Sequence, residues 1–253
     1  MLKKISLILV MILLVTGCQK VTVINNLSDL DNQKVGVYTG SEYDQILSKE
    51  LPNSTPAYYN SYNDQIIALK SSKISAFLTD EPLAKEILKN NDGLKILDTK
   101  LTEDSYAFAI SKDQKELKKQ IDKILTDMKE SNKLKELEDK WFGDDESKKV
   151  LEKYNYKSSK KIKFGTVSAS APFSYMKNNE VVGYDIDIIN YIGYKLNYEV
   201  EIVDMAFEGI IPALVSNKVD VAGCSIIVTE DRKKSVLFSI PNYTGGIVIV
   251  TKE

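Results

Sequence analysis

The sequence contains no histidine. That absence removes Ser-His-Asp and Cys-His catalysis together with the commonest metal ligand. Its two cysteines, Cys18 and Cys224, are too few for a thiolate zinc site. No Gly-rich phosphate-binding loop is present, so any ATPase this chain works with is a separate polypeptide. Charge of one sign is also scarce: 34 basic against 36 acidic residues leave a formal net charge of −2. Nucleic-acid binding calls for a basic face and is not expected. After Val15 no stretch approaches eighteen apolar residues, so no later bilayer span is expected. No catalytic residue, metal or cofactor is assigned.

What is present begins at the N-terminus. Lys3 and Lys4 precede an unbroken apolar run from Ile5 to Val15, too short for a stable transmembrane helix but suited to a secretory signal over residues 1–17. The run ends in Val15-Thr16-Gly17-Cys18, which resembles the lipobox of bacterial lipoproteins. The resemblance implies cleavage before Cys18, a diacylglyceryl thioether on its sulfur, and a lipid anchor on the outer face of the membrane. Loss of Lys3 and Lys4 would take the formal charge from −2 to −4. Cys224 would then stand alone, with no disulfide partner, and its apolar neighbours read as a buried, inert thiol.

A distant internal repeat organises the rest. Residues 67–76 parallel residues 212–221, with alanine, leucine, serine and lysine at the same offsets. In each copy a helical stretch turns into a strand, Ile74 to Thr79 and Val219 to Cys224, and each is preceded by a strand-like opening, Lys34 to Tyr38 and Lys161 to Thr166. Alternating strands and helices predict an α/β fold of two similar lobes, each a mostly parallel sheet flanked by helices. Gln114 to Trp141 is an amphipathic helical pattern with Ile121, Leu125 and Met128 on one face. The polar, lysine-rich stretch 144–160 reads as a linker. Ligands of such sheets sit beyond the carboxyl ends of strands, here Tyr38–Ser41, Thr79–Pro82, Thr166–Ser168 and Gly223–Ser225. Ser41 is expected to cap the helix after it, with Asp44 three residues on.

These segments resemble the family 3 extracellular solute-binding proteins, the polar amino-acid receptors of ABC transporters. Residues 27–143 resemble the later part of such a protein, from Leu27-Ser28-Asp29-Leu30 through Val35–Ser41 and Thr79-Asp80-Glu81-Pro82 to Lys140-Trp141-Phe142-Gly143. Residues 162–253 resemble its beginning, with Ala171-Pro172-Phe173-Ser174-Tyr175, Gly183-Tyr184-Asp185-Ile186-Asp187, Thr229–Lys234 and Phe238-Ser239. The order is that of a circularly permuted chain or a remnant of a tandem array. The resemblance implies a two-lobed periplasmic-binding-protein-like fold (type II) with ligand in the interlobe cleft. In the permuted reading residues 18–25 carry the anchor and a first crossover strand, and 26–106 form one lobe. A hinge at 107–110 is the single join, followed by helices at 111–143 packing on the other lobe, the linker 144–160, and that lobe at 161–253. Ile247 to Lys252 is expected as the other half of the broken crossover, and domain swapping becomes plausible.

Carried over residue by residue, the resemblance makes Arg232 the partner of a ligand carboxylate and Asp80 the acceptor for its ammonium. Asp80 could equally cap the helix that Pro82 opens. Phe207 is an aromatic wall or else a core phenylalanine, Ser225 offers a carbonyl or hydroxyl, and Tyr38 and Ser41 line the facing lobe. Three residues depart from the pattern. Ile227 replaces Ser or Thr, leaving only backbone contact. Ser170 replaces a covering aromatic and opens the pocket. Glu42 replaces a small hydroxyl residue; it could repel a ligand carboxylate or pair with a cationic ligand side chain. The expected function is delivery of a small polar solute, an amino acid, to an ABC transporter permease. The alternatives are a dehydratase-like enzyme on the same scaffold, with Glu42 as acid, and a ligand-sensing subunit.

Overall fold

The computed structural model describes residues 23–157 and 160–253. The expected signal segment, the lipidation site Cys18 and the start of the expected first crossover strand at Val21 lie outside the described residues. Val23–Asn25 form no strand. Ile24, 1% exposed, instead joins Leu30 in the core, and Leu27–Leu30 is a 3₁₀ turn capped reciprocally by Asn26 and Asp29.

Strand and helix then alternate: β1 (Lys34–Tyr38), α1 (Tyr43–Glu50), β2 (Thr55–Tyr59), α2 (Tyr62–Lys70), β3 (Ala76–Asp80), α3 (Glu81–Lys89) and β4 (Leu94–Ile96). Two short strands follow, β5 (Asp104–Tyr106) and β6 (Ala109–Ile110), then α4 (Lys115–Glu130) and α5 (Lys133–Phe142). The expected helical pattern over 114–141 thus divides at Asn132, whose left-handed φ of 65° interrupts it. A second series runs β7 (Lys161–Thr166), β8 (Ala169–Ser170), β9 (Ser174–Lys177), β10 (Glu180–Val182), α6 (Tyr184–Leu196) and β11 (Glu199–Asp204). It continues through a 3₁₀ turn at Phe207–Gly209 into α7 (Ile210–Val215), β12 (Val221–Ala222), α8 (Glu230–Lys233) and β13 (Leu237–Phe238). β14 (Tyr243–Gly245) and β15 (Ile247–Lys252) close the chain.

These strands build two five-stranded sheets of matching design. One has the order β2-β1-β3-β15-β4, the other β11-β7-β12-β6-β13. In each, three parallel strands adjoin an antiparallel fourth, β15 in the first lobe and β6 in the second. The repeated segments supply the corresponding passages, α2 into β3 and α7 into β12. Sheet position therefore explains the repeat.

The expectation that 161–253 forms one lobe fails at its end. Ile247, Val248, Ile249 and Val250 are all at most 4% exposed. Ile247 and Ile249 enter one apolar cluster of the first lobe, Val248 and Val250 the other. Such an unbroken apolar run suits only a strand covered on both faces, and β15 is an inner strand of the first lobe. The single hinge at 107–110 is corrected in the same way, because β6 is an inner strand of the second lobe. The lobes are joined twice, by β5 into β6 and by β14 into β15. β5 and β14 pair antiparallel, Tyr106 opposite Tyr243 and Asp104 opposite Gly245, as a two-stranded hinge. The first lobe is thus 26–103 with 247–253, and the second is 107–242.

Two further arrangements matter for the permuted reading. Thr251 lies opposite Lys95 in the ladder, and Lys95 Nζ donates to Asn25 Oδ1 at 2.8 Å, so the first and last described segments meet on one corner of the first lobe. The segment 144–157 has no regular element but ties the lobes together. Lys149, 2% exposed, pairs with Glu146 at 2.6 Å and Glu86 of α3 at 3.9 Å, and Lys89 of α3 pairs with Asp144 at 2.6 Å. Within the second lobe, Asp187 of α6 accepts from Trp141 Nε1 at 2.9 Å and Lys140 Nζ at 2.7 Å. This contact joins two motifs that are distant in the sequence.

Candidate functional site

The cleft is built where strand ends of the two lobes converge. After β1 the chain turns at Gly40, whose φ of +79° favours glycine; a Cβ there would lie 2.9 Å from Glu208 Cα in the opposite lobe. The lobes therefore touch, and the cleft is closed. A small cavity of about 20 Å³ remains, lined by Tyr38, Glu42, Tyr62, Phe207, Ser225 and Arg232 among others, which is room for roughly one water.

Arg232 is the chain's one arginine. It sits in α8, where Thr229 Oγ1 accepts from the Arg232 N–H at 3.2 Å, and it is 8% exposed. Its Nη1 donates to the Ile227 carbonyl at 3.0 Å, and its Nη2 reaches across the cleft to the Gly40 carbonyl at 3.2 Å. Nε lies 3.2 Å from Glu42 Oε1, an ion pair between lobes. The Phe207 ring centroid is 5.7 Å from the guanidinium carbon, within cation–π range. Burial lowers the arginine's pKa, and Glu42 opposes that shift.

Asp80 ends β3 and occupies the N-cap position of α3, yet its side chain makes no capping bond. Its carboxylate accepts instead from Tyr106 Oη at 2.7 Å and, from the other lobe, from Ser225 Oγ at 2.8 Å. Burial pushes this carboxyl up to about 6 against the pull of those hydroxyls. Asp80 does not line the cavity itself; Ser225, which does, sets it directly behind the wall. Asp185, in the first turn of α6, accepts from Asn242 Nδ2 at 2.9 Å and Ser225 N at 3.2 Å. Burial pushes it up to about 7. Neither Asp80 nor Asp185 forms an ion pair among the described residues. Ser225, between the two acids, is held at a φ of 46°, a left-handed conformation that costs a non-glycine residue about 1–2 kcal/mol.

Aromatic rings close the remaining walls. Tyr38 lies 4.7 Å from Tyr62 and 6.1 Å, edge-on, from Phe207. Ser170 lines the cavity as well. Ser41 departs from its expected capping role. The N-cap of α1 is Glu42, while Ser41 Oγ donates to the Tyr38 carbonyl and accepts from Tyr43 N. Asp44 bonds to Gln45 N rather than back to Ser41. Cys224 is 1% exposed, and burial pushes its thiol up to about 12, far from a reactive thiolate.

All eight residues singled out from the sequence thus lie at or directly behind one cleft. Tyr43, Tyr62 and Asp185 were missed. Asp185 carried a signal, an acid inside the apolar run from Tyr184 to Ile189, and the uniqueness of Arg232 was another. Among the described residues no group of three or more acids and cysteines is placed to hold a metal, and no helix is long and apolar enough to cross a membrane.

Two lobes joined by a two-stranded hinge, with a guanidinium and carboxylates meeting in the closed cleft, define a solute-binding protein of the periplasmic-binding kind. The chain belongs to the bacterial extracellular solute-binding proteins, family 3, whose model matches residues 17–144 and 162–253. It is 37% identical over 94 residues to the arginine-binding extracellular protein ArtP of Bacillus subtilis, covering 37% of each chain. It is 33% identical over 97 residues to ABC transporter arginine-binding protein 1 of Escherichia coli, covering 38% of this chain and 40% of that one. The chain spans about two fifths of the length of these curated relatives. Among solved structures, the arginine-bound form of domain 1 from TmArgBP is 33% identical, with a TM-score of 0.32 over 36% of this chain and 79% of that one.

Proposed function

We propose that this chain is a lipid-anchored extracytoplasmic receptor that captures an amino acid between its lobes and presents it to an ABC transporter permease. The observation that carries this reading is the placement of Arg232, from one lobe, in the wall of the closed cleft and of Asp80, from the other, directly behind that wall. A free amino acid has the matching charges, a carboxylate for the fork of Arg232 and an ammonium for Asp80. The rings of Tyr38, Tyr62 and Phe207 exclude water and strengthen both contacts. The names of the B. subtilis and E. coli relatives, both arginine-binding, support an amino acid as solute. The lipobox at Cys18 supports anchoring to the membrane. The meeting of the first and last described segments beside Lys95 supports a circularly permuted order, in which the family's chain would run on from Lys252 to Asn25. Glu42 is engaged as the counter-ion of Arg232, and no observation favours the enzyme reading.

Isothermal titration of the mature chain lacking Cys18 against amino acids tests the proposal. Binding is expected, and Arg232→Ala and Asp80→Asn should each weaken it at least a hundredfold. Wild-type heat that survives both substitutions would overturn it.

A further inference from the structure

The ion pair between Arg232 and Glu42 has a consequence for which solutes this cleft accepts. An amino acid held by Arg232 needs donors on the guanidinium, and three of its five N–H groups are engaged in the closed cleft. Nη1 and Nη2 each donate to a carbonyl, of Ile227 and Gly40, and Nε faces Glu42 Oε1 at 3.2 Å. The carboxylate touching the arginine in the closed cleft is therefore the protein's own. Both partners are shielded, their side chains 9% and 14% exposed, so the pair is more than a screened surface contact. Its members come from opposite lobes, Glu42 at the start of α1 and Arg232 on α8. The pair and the Arg232–Gly40 bond are thus contacts that closure makes and opening breaks.

We infer that Glu42 is a resident counter-ion of Arg232, latching the empty cleft and selecting basic amino acids by exchanging partners when one enters. The inference rests on the amino-acid reading above. An incoming carboxylate must displace Glu42 from the guanidinium. Displacement leaves a shielded carboxylate without a cation, which is costly unless the ligand supplies a second positive charge. Arginine or lysine supplies one on its side chain; glutamine or alanine does not. Charge balance points the same way. With Arg232 neutralised by Glu42, Asp80 and Asp185 remain without an ion-pair partner among the described residues, so the cleft favours a ligand of net positive charge. Uncompensated charge against the wrong ligand is the usual source of such selectivity.

The test compares wild type with Glu42→Gln, which keeps shape and hydrogen bonding but removes the charge, and Glu42→Ser, each first checked for cooperative thermal unfolding. Arginine, lysine, glutamine and alanine are titrated, and ligand-free compactness is followed by small-angle X-ray scattering. Wild type should prefer arginine over glutamine at least tenfold. In Glu42→Gln that ratio should fall at least tenfold, because glutamine no longer has to displace a charge, and the ligand-free protein should become more open. An unchanged ratio, or a uniform change in all four affinities, overturns the selectivity. Unchanged ligand-free scattering overturns the latch. If neither protein binds any amino acid, the amino-acid reading and the selectivity built on it fail together; scattering that still opens in Glu42→Gln would then uphold the latch alone.

Discussion

At the scale of single residues, the cleft holds acids in an environment that disfavours their ionised form. Asp80 shifts from 3.8 to about 6 and Asp185 from 3.8 to about 7, both chiefly through burial. The sign follows from proton binding. Between pH 4 and pH 7 the folded state keeps protons that the unfolded chain has released, so the contribution of these groups to stability falls as pH rises through that window. For Asp80 alone the shift corresponds to about 3 kcal/mol, and the two coupled acids do not simply add. In urea unfolding of the ligand-free protein, the loss of stability between pH 5 and pH 7.5 should therefore be smaller than in wild type, by about 1 kcal/mol in Asp80→Asn and about 2–3 kcal/mol in Asp185→Asn. Equal pH slopes in all three would contradict the shifts. Ligand reverses the trend. An ammonium stabilises the ionised Asp80, so amino-acid affinity should weaken as pH falls below about 6, a dependence that titration at pH 5 and pH 7.5 reads directly. The residues of this site were legible because each needs a particular chemistry at a strand end, as with Arg232 and Asp80. Tyr43 and Tyr62 were not, since a tyrosine opening a helix looks the same whether it meets a core or a cavity.

At the scale of elements, the turn from β1 into α1 does the most for the site with the fewest atoms. Gly40 offers its carbonyl to Arg232, adopts a positive φ and leaves no room for a Cβ against Glu208. Gly40→Ala should cost about 1–2 kcal/mol of stability through its backbone. It should also hold the lobes apart, so that ligand affinity falls at least tenfold while the first lobe's secondary structure, followed by circular dichroism, persists. The anchor between α5 and α6 is a separate test of packing. Trp141→Phe keeps the ring in the core but strips one donor from the buried Asp187, for an expected loss of about 1–3 kcal/mol. The repeat made the helix-to-strand passages legible, because both copies bury the same pattern against the same sheet position. β15 was misplaced for a related reason: an unbroken run such as Ile247 to Val250 declares that both faces are covered, but not which sheet covers them. α4 and α5 read as one helix because Ser131 and Asn132 are polar residues that periodicity alone does not distinguish from an exposed turn of helix.

At the scale of the whole molecule, the two crossovers decide how the chain order can vary. Both pass through the β5–β14 hinge intact, so a permuted order interrupts neither of them. In the permuted order proposed above, the interruption would fall between Lys252 and Asn25, on the corner of the first lobe where Lys95 contacts both segments. With two covalent joins, the case for domain swapping built on a single join lapses. The segment 144–157 then takes on a part that free termini would not have. Through Lys149–Glu86 and Asp144–Lys89 it straps the second lobe to α3 of the first. Re-ordering the chain tests both points. A chain running from 160 to 253, joined by a short flexible linker to 24 and continuing to 143, keeps every strand, both crossovers and the cleft but removes the strap. Closing a loop between ends that already lie close costs little entropy. That chain should fold cooperatively and keep the ligand preference of the original order, while its ligand-free form scatters as a more open particle. Failure to fold would show that the order in this sequence is not interchangeable with the family's. Unchanged ligand-free compactness would show that the strap leaves closure unaffected.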